Sequence, residues 1–146
     1  MPYAILEARF YNTAIKQGNL RPFKIHDVII IFSYQFARNK SSDVADLPWE
    51  IVVVDEAHRL QDVYKPSNLI ANTLKVALGH CNKLLLTATL LQNSLLELFG
   101  LISFIDEHTF GDLKSFHEQF VNLSQELVFD TLKPRLKPIR HRTLGR

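Results

Sequence analysis

Trp49-Glu-Ile-Val-Val-Val-Asp-Glu-Ala-His-Arg-Leu60 is the most informative stretch of this sequence, because an apolar run in it stops abruptly at two carboxylates. Residues 51–54 are apolar throughout and lack polar alternation, a pattern typical of a strand buried on both faces of a parallel sheet. In such sheets, ligands bind beyond the carboxyl ends of the strands. Asp55 and Glu56 are therefore the first candidates for chemistry.

Two further segments carry the same apolar pattern, Asp27–Tyr34 and Lys83–Thr87. Helical spacing and helix-end residues predict helices over 4–16, 68–78, 94–105, 112–120 and 123–133, and a polar loop over 39–48. The residues expected at helix ends are Ser67 and Asn93 as N-caps, Gly18 and Gly79 as terminators, and Pro134 and Pro138 as breakers. Strands that alternate with helices predict an α/β fold, a parallel sheet flanked by helices.

Composition limits the class of protein. The chain has 146 residues, 47% of them hydrophobic, and a formal net charge of +2, which indicates an ordinary globular domain and excludes a disordered chain. Cys81 is the single cysteine, so no intramolecular disulfide can form. No apolar run approaches the roughly 20 residues of a membrane span, and the first residues do not resemble a secretory signal. We therefore expect an intracellular protein that does not span a membrane.

The acidic pair is suited to magnesium chemistry. Mg²⁺ takes oxygen ligands, keeps several waters and bridges protein carboxylates to nucleotide phosphates. Asp55, the first to leave the sheet, is suited to hold the magnesium water shell, and Glu56 could orient or deprotonate the water that attacks a terminal phosphate. The alternative is a solvated acidic turn in which His58 is an ordinary residue at a helix start.

A second motif follows the third predicted strand. Thr87-Ala88-Thr89 comes about 30 residues after Asp55-Glu56-Ala57-His58, at the corresponding place one strand along. Together the two segments resemble motifs II and III of the superfamily-two helicase-like ATPases. The extension from Leu91 to Phe104 resembles the SWI/SNF-type translocase branch. The resemblance covers the chain from about residue 20 onward and implies the C-terminal half of lobe one of a RecA-like P-loop NTPase.

The resemblance also implies roles for individual residues. Asp55 would bind Mg²⁺ through water, Glu56 would act on the catalytic water, and His58 would couple the nucleotide site to the neighbouring motif. The motif III residues that would link hydrolysis to lobe movement are Thr87, Ala88, Thr89 and Gln92. For the complete protein, ATP and Mg²⁺ are the implied cofactors and duplex DNA is the implied partner. Ser33-Tyr34-Gln35 is similar to a segment near the nucleic-acid track, with a packed tyrosine at a strand end as the alternative.

Three features depart from the family pattern. Leu90 stands where proline commonly follows Thr-Ala-Thr, and Gly145 replaces a basic residue in the linker between lobes. None of the five glycines begins or completes a Gly-x-x-x-x-Gly-Lys-Ser/Thr loop, so the chain lacks the phosphate cradle of such enzymes. We therefore expect neither ATP nor Mg²⁺ to bind tightly to this chain alone.

The sequence thus predicts three parts: an N-terminal helix over 1–19, a partial ATP-binding lobe over 20–139 that lacks its P-loop strand, and a basic linker over 140–146 toward a second lobe. The favoured function is a fragment of a DNA-dependent ATPase that moves on duplex DNA when complete. The alternatives are a truncated, catalytically inactive module and a fragment of another DEAH-type helicase. Without the P-loop half, the exposed edge of the third strand is expected to favour self-association.

Overall fold

The computed structural model describes residues 1–88, 95–120, 123 and 125–138. The chain divides into two compact units, residues 1–105 and residues 106–146. The elements of the first unit are β1 (Tyr3–Ile5), α1 (Ala8–Lys16), β2 (Ile29–Ile31), α2 (Tyr34–Asn39), α3 (Ser41–Ala45), β3 (Val52–Val54), a short 3-10 helix (Ala57–Leu60), α4 (Leu69–Ala77), β4 (Lys83–Leu85) and α5 (Leu95–Ile105). Those of the second unit are α6 (Leu113–Phe120) and α7 (Gln125–Leu136).

The four strands in the described part of the chain form two parallel pairs. β1 pairs with β2, with Tyr3 opposite Ile29, and β3 pairs with β4, with Val54 opposite Leu85. Helix α1 connects the first pair and α4 connects the second, as expected for parallel strands, which need a crossover between them. The α/β fold with parallel strands flanked by helices is confirmed.

Several boundaries differ from those predicted. Residues Tyr3–Ile5 form a strand where the predicted helix already began, and α1 starts only at Ala8. The predicted strand over residues 27–34 shrinks to three residues, because Asp27 has a left-handed backbone (φ 57°) and Ser33 caps α2 by accepting the amide of Phe36. A side chain that caps a helix satisfies one of its first amides, so the helix begins there and the preceding strand must end.

The polar loop predicted over residues 39–48 is wrong, because α3 occupies its centre and buries Val44. Asn68 rather than Ser67 caps α4, with its side-chain oxygen accepting the amide of Ala71 at 3.1 Å. Helix α7 continues through Pro134 to Leu136. The expectation that Pro134 breaks the chain is therefore wrong.

The strands are buried on one face only, which corrects the expectation of burial on both. Val54 is buried, and Ile30, Val52 and Leu85 pack against the core, whereas their neighbours along each strand are about half exposed. The core contains side chains from α1 to α5, so those five helices pack on the same face of the strands. In the described part of the chain, no element covers the other face well enough to bury it.

The second unit contains a group of phenylalanine rings. Phe110 and Phe116 have ring centroids 5.0 Å apart, and Phe116 and Phe120 4.9 Å apart, with all three buried. These rings are packed against one another rather than exposed as a stacking platform for bases. Among the described helices, none is long and apolar enough to cross a lipid bilayer.

Helix α5 approaches the chain just after the 3-10 helix so closely that only glycine fits at the contact. A Cβ at Gly100 would lie 1.6 Å from the main-chain oxygen of Gln61. That oxygen belongs to the backbone, so it cannot rotate away as a flexible side chain could. Gly100 therefore sets how near α5 lies to the segment that follows the acidic pair.

We expect Gly100→Ala to lower the free energy of unfolding by at least about 2 kcal/mol, because overpacking against backbone forces the two segments apart. Gly79→Ala is the matched control, since a Cβ there would lie 3.4 Å from its nearest neighbours. It should cost less than about 1 kcal/mol. Urea denaturation of both variants measures the difference, and equal costs would contradict the role given to Gly100.

Candidate functional site

The acidic pair lies in a tight turn at the carboxyl end of β3. Asp55 and Glu56 are both exposed, and the Oδ1 atom of Asp55 accepts the amide of Glu56 at 2.9 Å. Glu56 has φ 50° and ψ 46°, a left-handed conformation that glutamate rarely adopts. Ala57 then returns the chain to the core and is fully buried. The turn thus directs two successive carboxylates into solvent beyond the strand.

Two main-chain hydrogen bonds join this turn to the end of β4. The amide of Leu86 donates to the oxygen of Val54 at 2.8 Å, and the amide of Ala57 donates to the oxygen of Leu86 at 2.9 Å. Leu86 is therefore bonded to the residues on either side of Asp55 and Glu56. Thr87 is the next residue along the chain, so Asp55 and Thr87 lie at the same edge of the sheet.

His58 lies within reach of the Glu56 carboxylate. Its Nδ1 atom is 3.2 Å from Oε2 of Glu56, with the two side chains 44% and 62% exposed. An exposed pair of this kind contributes little to stability. Its effect is local, because it favours one orientation of the carboxylate that the resemblance assigns to the catalytic water.

Tyr34, the first residue of α2, follows β2 and makes a hydrogen bond to the acidic turn after β3. Its hydroxyl donates to the main-chain oxygen of Asp55 at 2.6 Å, and the Arg59 guanidinium lies 5.4 Å from its ring centroid. Burial raises the pKa of Tyr34 to about 12; Arg59 opposes the rise, and the carboxylates of Asp55 and Glu56 add to it. The phenol therefore stays protonated and keeps donating at neutral pH.

The structure brings together the predicted residues Asp55, Glu56, His58, Thr87 and Ala88 at one sheet edge. Thr89, Leu90 and Gln92 lie outside the described residues, as does the predicted basic linker over 140–146. The functional roles of all these residues remain predictions. The sequence left the role of Tyr34 open. The one sequence feature that indicated its position was Ser33, because a serine can cap a helix and Tyr34 would then lie in the first turn of that helix.

The turn suits a magnesium ion bound largely through water. Mg²⁺ needs only one or two protein carboxylates when phosphates and waters supply its other ligands. Asp55 keeps Oδ2 available beside the Oδ1 that accepts the Glu56 amide, and both carboxylates are exposed. Among the described residues, no three His, Cys, Asp or Glu side chains gather into a cage for a metal ion. The donors therefore fit an ion that arrives with a nucleotide.

A cavity of about 550 Å³ lies elsewhere in the first unit. Residues between 20 and 24 and between 43 and 48 line it, and both segments precede a strand. It therefore lies toward the amino ends of the strands, and neither Asp55 nor Glu56 lines it.

Comparison with known proteins assigns a family to this arrangement. Residues 8–144 match the SNF2-related domain. The chain is 36% identical over 110 residues to the CHD3-type chromatin-remodeling factor PICKLE of Arabidopsis thaliana, which covers 75% of this chain and 8% of that protein.

Two animal proteins give similar alignments. Chromodomain-helicase-DNA-binding protein 6 of Rattus norvegicus is 38% identical over 122 residues, and chromodomain-helicase-DNA-binding protein 7 of Homo sapiens is 34% identical over 122 residues. Each alignment covers 84% of this chain and 4% of the relative. The chain therefore spans less than a tenth of the length of these relatives.

We expect Tyr34→Phe to lower the free energy of unfolding by about 1 kcal/mol at pH 7, the usual net value of one hydrogen bond. Tyr3→Phe, at a ring 67% exposed, should change it by less than about 0.5 kcal/mol. Urea denaturation at pH 7 tests both values. An unchanged stability in Tyr34→Phe would contradict the importance of the bond to Asp55.

The same variant should change the response to high pH. The folded-state pKa of about 12 exceeds the ordinary value of 10.0, so the folded chain holds this proton more tightly than the unfolded chain. Its stabilising effect is complete below pH 10 and is lost as pH rises toward 12. The loss of stability over this interval should be shallower in Tyr34→Phe than in the wild type. If the stability of both proteins falls equally with rising pH, the raised pKa assigned to Tyr34 is contradicted.

The left-handed backbone of Glu56 predicts an unusual effect of glycine. Glu56→Gly should raise the free energy of unfolding by about 1 kcal/mol, because glycine adopts this conformation without a steric cost. Asp27→Gly, at φ 57°, should behave alike, whereas Glu7→Gly, at φ −136°, should give no gain. Thermal or urea unfolding compares the three, and destabilisation by Glu56→Gly would show that its side chain has a structural role.

Proposed function

Because this chain belongs to the SNF2-related domain family, we propose that it forms the magnesium and coupling half of an ATPase lobe that moves along duplex DNA when the lobe is complete. The observation that supports the proposal is the attachment of the Asp55-Glu56 turn to Leu86 by two main-chain hydrogen bonds. That attachment places the acidic pair beside Thr87, so a change at one motif is transmitted mechanically to the other.

Each residue has a separate task in this proposal. Asp55 holds the water shell of Mg²⁺, and Glu56 orients the attacking water and accepts its proton. Mg²⁺, when bound with ATP, supplies positive charge against the phosphate oxygens. His58, 3.2 Å from the Glu56 carboxylate, keeps that carboxylate in one orientation. Phosphoryl transfer depends mainly on positioning and charge stabilisation, which these groups provide only in part.

The groups that this chain lacks determine what it does alone. Its 146 residues include no Gly-x-x-x-x-Gly-Lys-Ser/Thr segment, so the amides and lysine that hold nucleotide phosphates must come from elsewhere. Arginine side chains that stabilise the transition state come, by the family resemblance, from a second lobe. We therefore propose that ATP is hydrolysed by the assembled lobes and not by this chain in isolation.

Duplex DNA is the proposed track. The relatives are named as chromatin-remodeling and DNA-binding proteins, which favours DNA over RNA and an intracellular location on chromatin. Tyr34 supports a connection between track and site, because it lies in the segment Ser33–Gln35 that resembles one near the nucleic-acid track, and its hydroxyl donates to the main-chain oxygen of Asp55. Movement of α2 on DNA would thus act on the acidic turn through one hydrogen bond.

A truncated module that acts by binding alone is the second candidate. The absence of a phosphate loop favours it, as does Leu90 in place of the family proline. The two candidates differ in one measurable respect, since only the first requires that Glu56 still be competent for hydrolysis when the missing parts are supplied.

A chimera tests this difference. In PICKLE, the segment that aligns with this chain is replaced by the sequence of this chain, and ATP hydrolysis is measured with and without duplex DNA. We expect DNA-stimulated turnover, and a loss of at least about 100-fold in Glu56→Gln, the usual magnitude for removal of a general base. Glu50→Gln, at an exposed glutamate just before β3, should retain turnover. The isolated chain should show only background hydrolysis.

A folded chimera without DNA-stimulated turnover would contradict the ATPase proposal and favour the binding module. Turnover by the isolated chain that disappears in Glu56→Gln would contradict the requirement for the missing half. Equal loss in Glu50→Gln would show that the assay reports folding rather than catalysis.

A further inference from the structure

The peptide group between Asp55 and Glu56 is hydrogen-bonded at both of its polar atoms. Its oxygen, on Asp55, accepts the hydroxyl of Tyr34 at 2.6 Å, and its N–H, on Glu56, donates to Oδ1 of Asp55 at 2.9 Å. A peptide group is planar and turns as one body, so a bond at each end fixes its orientation. The orientation of this group determines how the backbone enters Glu56.

That orientation matters because Glu56 has a left-handed backbone, φ 50° and ψ 46°, which is unfavourable for a residue with a β-carbon. Rotation of the peptide group would let φ of Glu56 return to the right-handed region. The main-chain bonds of Leu86 hold the chain at Val54 and Ala57, but neither bond reaches this peptide group. Among the described residues, the hydroxyl of Tyr34 is therefore the hydrogen-bonding group from outside the turn that opposes the rotation.

Tyr34 is itself held in place. Its ring packs against the core, and the guanidinium of Arg59 lies 5.4 Å from the ring centroid, within range of a cation–π attraction. Arg59 belongs to the 3-10 helix that follows the turn, and its amide donates to the main-chain oxygen of Glu56 at 3.1 Å. The tyrosine thus contacts residue 55 through its hydroxyl and residue 59 through its ring. We call the Tyr34 side chain with these two contacts the brace.

We propose that Tyr34 and Arg59 are positioning residues, whose brace keeps the Glu56 carboxylate directed at the attacking water. This inference rests on the proposed function and adds to it two residues that do not touch the reacting atoms. Without the brace, the peptide group rotates, the backbone of Glu56 relaxes and its carboxylate points elsewhere. A displacement of about 1 Å can slow a reaction of this kind about 100-fold.

The brace should affect the rate of hydrolysis more than the binding of nucleotide. Asp55 directly follows β3, and the main-chain oxygen of Val54 just before it is bonded to Leu86. The residue proposed to hold the magnesium water shell therefore keeps its place when the peptide group after it rotates. A loss confined to the transition state lowers kcat and leaves KM nearly unchanged.

A second tyrosine provides a matched control for effects on stability. The hydroxyl of Tyr11 donates to Oδ2 of Asp43 at 2.7 Å, and Nζ of Lys40 lies 3.9 Å from the Tyr11 ring centroid. These are the same two kinds of contact that form the brace, and the Tyr11 ring is buried. None of the three residues belongs to the acidic turn. Removing the same groups there should cost the fold at least as much without moving Glu56.

The experiment measures kcat and KM for ATP in the PICKLE chimera with duplex DNA. Tyr34→Phe should lower kcat at least about tenfold and leave KM within about twofold. Arg59→Met should lower kcat about threefold, the size expected from an exposed cation–π contact. Arg59→Lys keeps a cation beside the ring and should lie nearer the wild type. Tyr11→Phe and Lys40→Met should leave both constants within about twofold.

A double variant tests whether the two contacts act as one brace. Once the hydroxyl is lost, Arg59 holds a ring that is no longer joined to the peptide group. Tyr34→Phe/Arg59→Met should therefore be no slower than Tyr34→Phe alone, because residues that act as a unit are not additive. A loss equal to the product of the two single losses would show independent effects and would overturn the brace.

A second measurement uses this chain alone and needs no ATP. Rotation of the peptide group would break the bond from the Glu56 amide to Oδ1 of Asp55, so the amide resonance of Glu56 reports on it directly. In a nitrogen–proton correlation spectrum, Tyr34→Phe should shift the amide resonances of Glu56 and Ala57. Tyr11→Phe should leave both where they are. This comparison separates the position of the turn from general damage to the fold.

The inference is overturned if Tyr34→Phe keeps the kcat of an active chimera, or if Tyr11→Phe loses as much. A rise in KM without a fall in kcat also overturns it, because Tyr34 would then act on nucleotide binding. An unchanged Glu56 amide resonance in Tyr34→Phe has the same consequence. A wild-type chimera without turnover contradicts the ATPase proposal alone, and the amide resonances then decide whether the brace holds the peptide group.

Discussion

The main chain of Leu86 is the point on which the candidate site depends. Its amide and its carbonyl oxygen hydrogen-bond to Val54 and Ala57, on either side of the acidic pair. The bonds use no side chain, so they survive any substitution at Asp55 or Glu56 that keeps the backbone path. They also make the end of β4 and the turn after β3 a single unit. The positions of the two carboxylates and of Thr87 are therefore mechanically linked.

One further contact holds the same turn, and another holds the segment that follows it. Tyr34 donates to the main-chain oxygen of Asp55 from the start of α2, whereas Gly100 lets α5 pack on the backbone at Gln61, beyond the 3-10 helix. Glu56 keeps a left-handed backbone that glutamate disfavours. Strain of this kind persists only where the surroundings determine the conformation, and the contacts made to this turn come from β4 and α2. The cost is small and local, and the result is a carboxylate directed away from the core.

The first unit is covered on one face of its strands and open on the other. The crossovers between parallel strands place α1 and α4 on one side, where they share a core with α2, α3 and α5. On the opposite side, large apolar residues such as Val53 and Leu84 remain about half exposed.

The sequence by itself determined the α/β class, the parallel strands, the acidic pair at the end of β3 and the family. The type of a strand and the place where it ends follow from local patterns, such as the apolar residues Val52–Val54 followed by Asp55. An apolar run of this length is compatible with few structures, and a strand of a parallel sheet is one of them. It did not predict α3, the passage of α7 through Pro134 or the exposure of Val53 and Leu84, because these depend on neighbours distant in the chain. The bond from Tyr34 to Asp55, the contact of Gly100 with Gln61 and the left-handed Glu56 were decided by tertiary structure alone. Each of these three features arises only when elements distant in the sequence pack together, and no local sequence pattern predicts that packing.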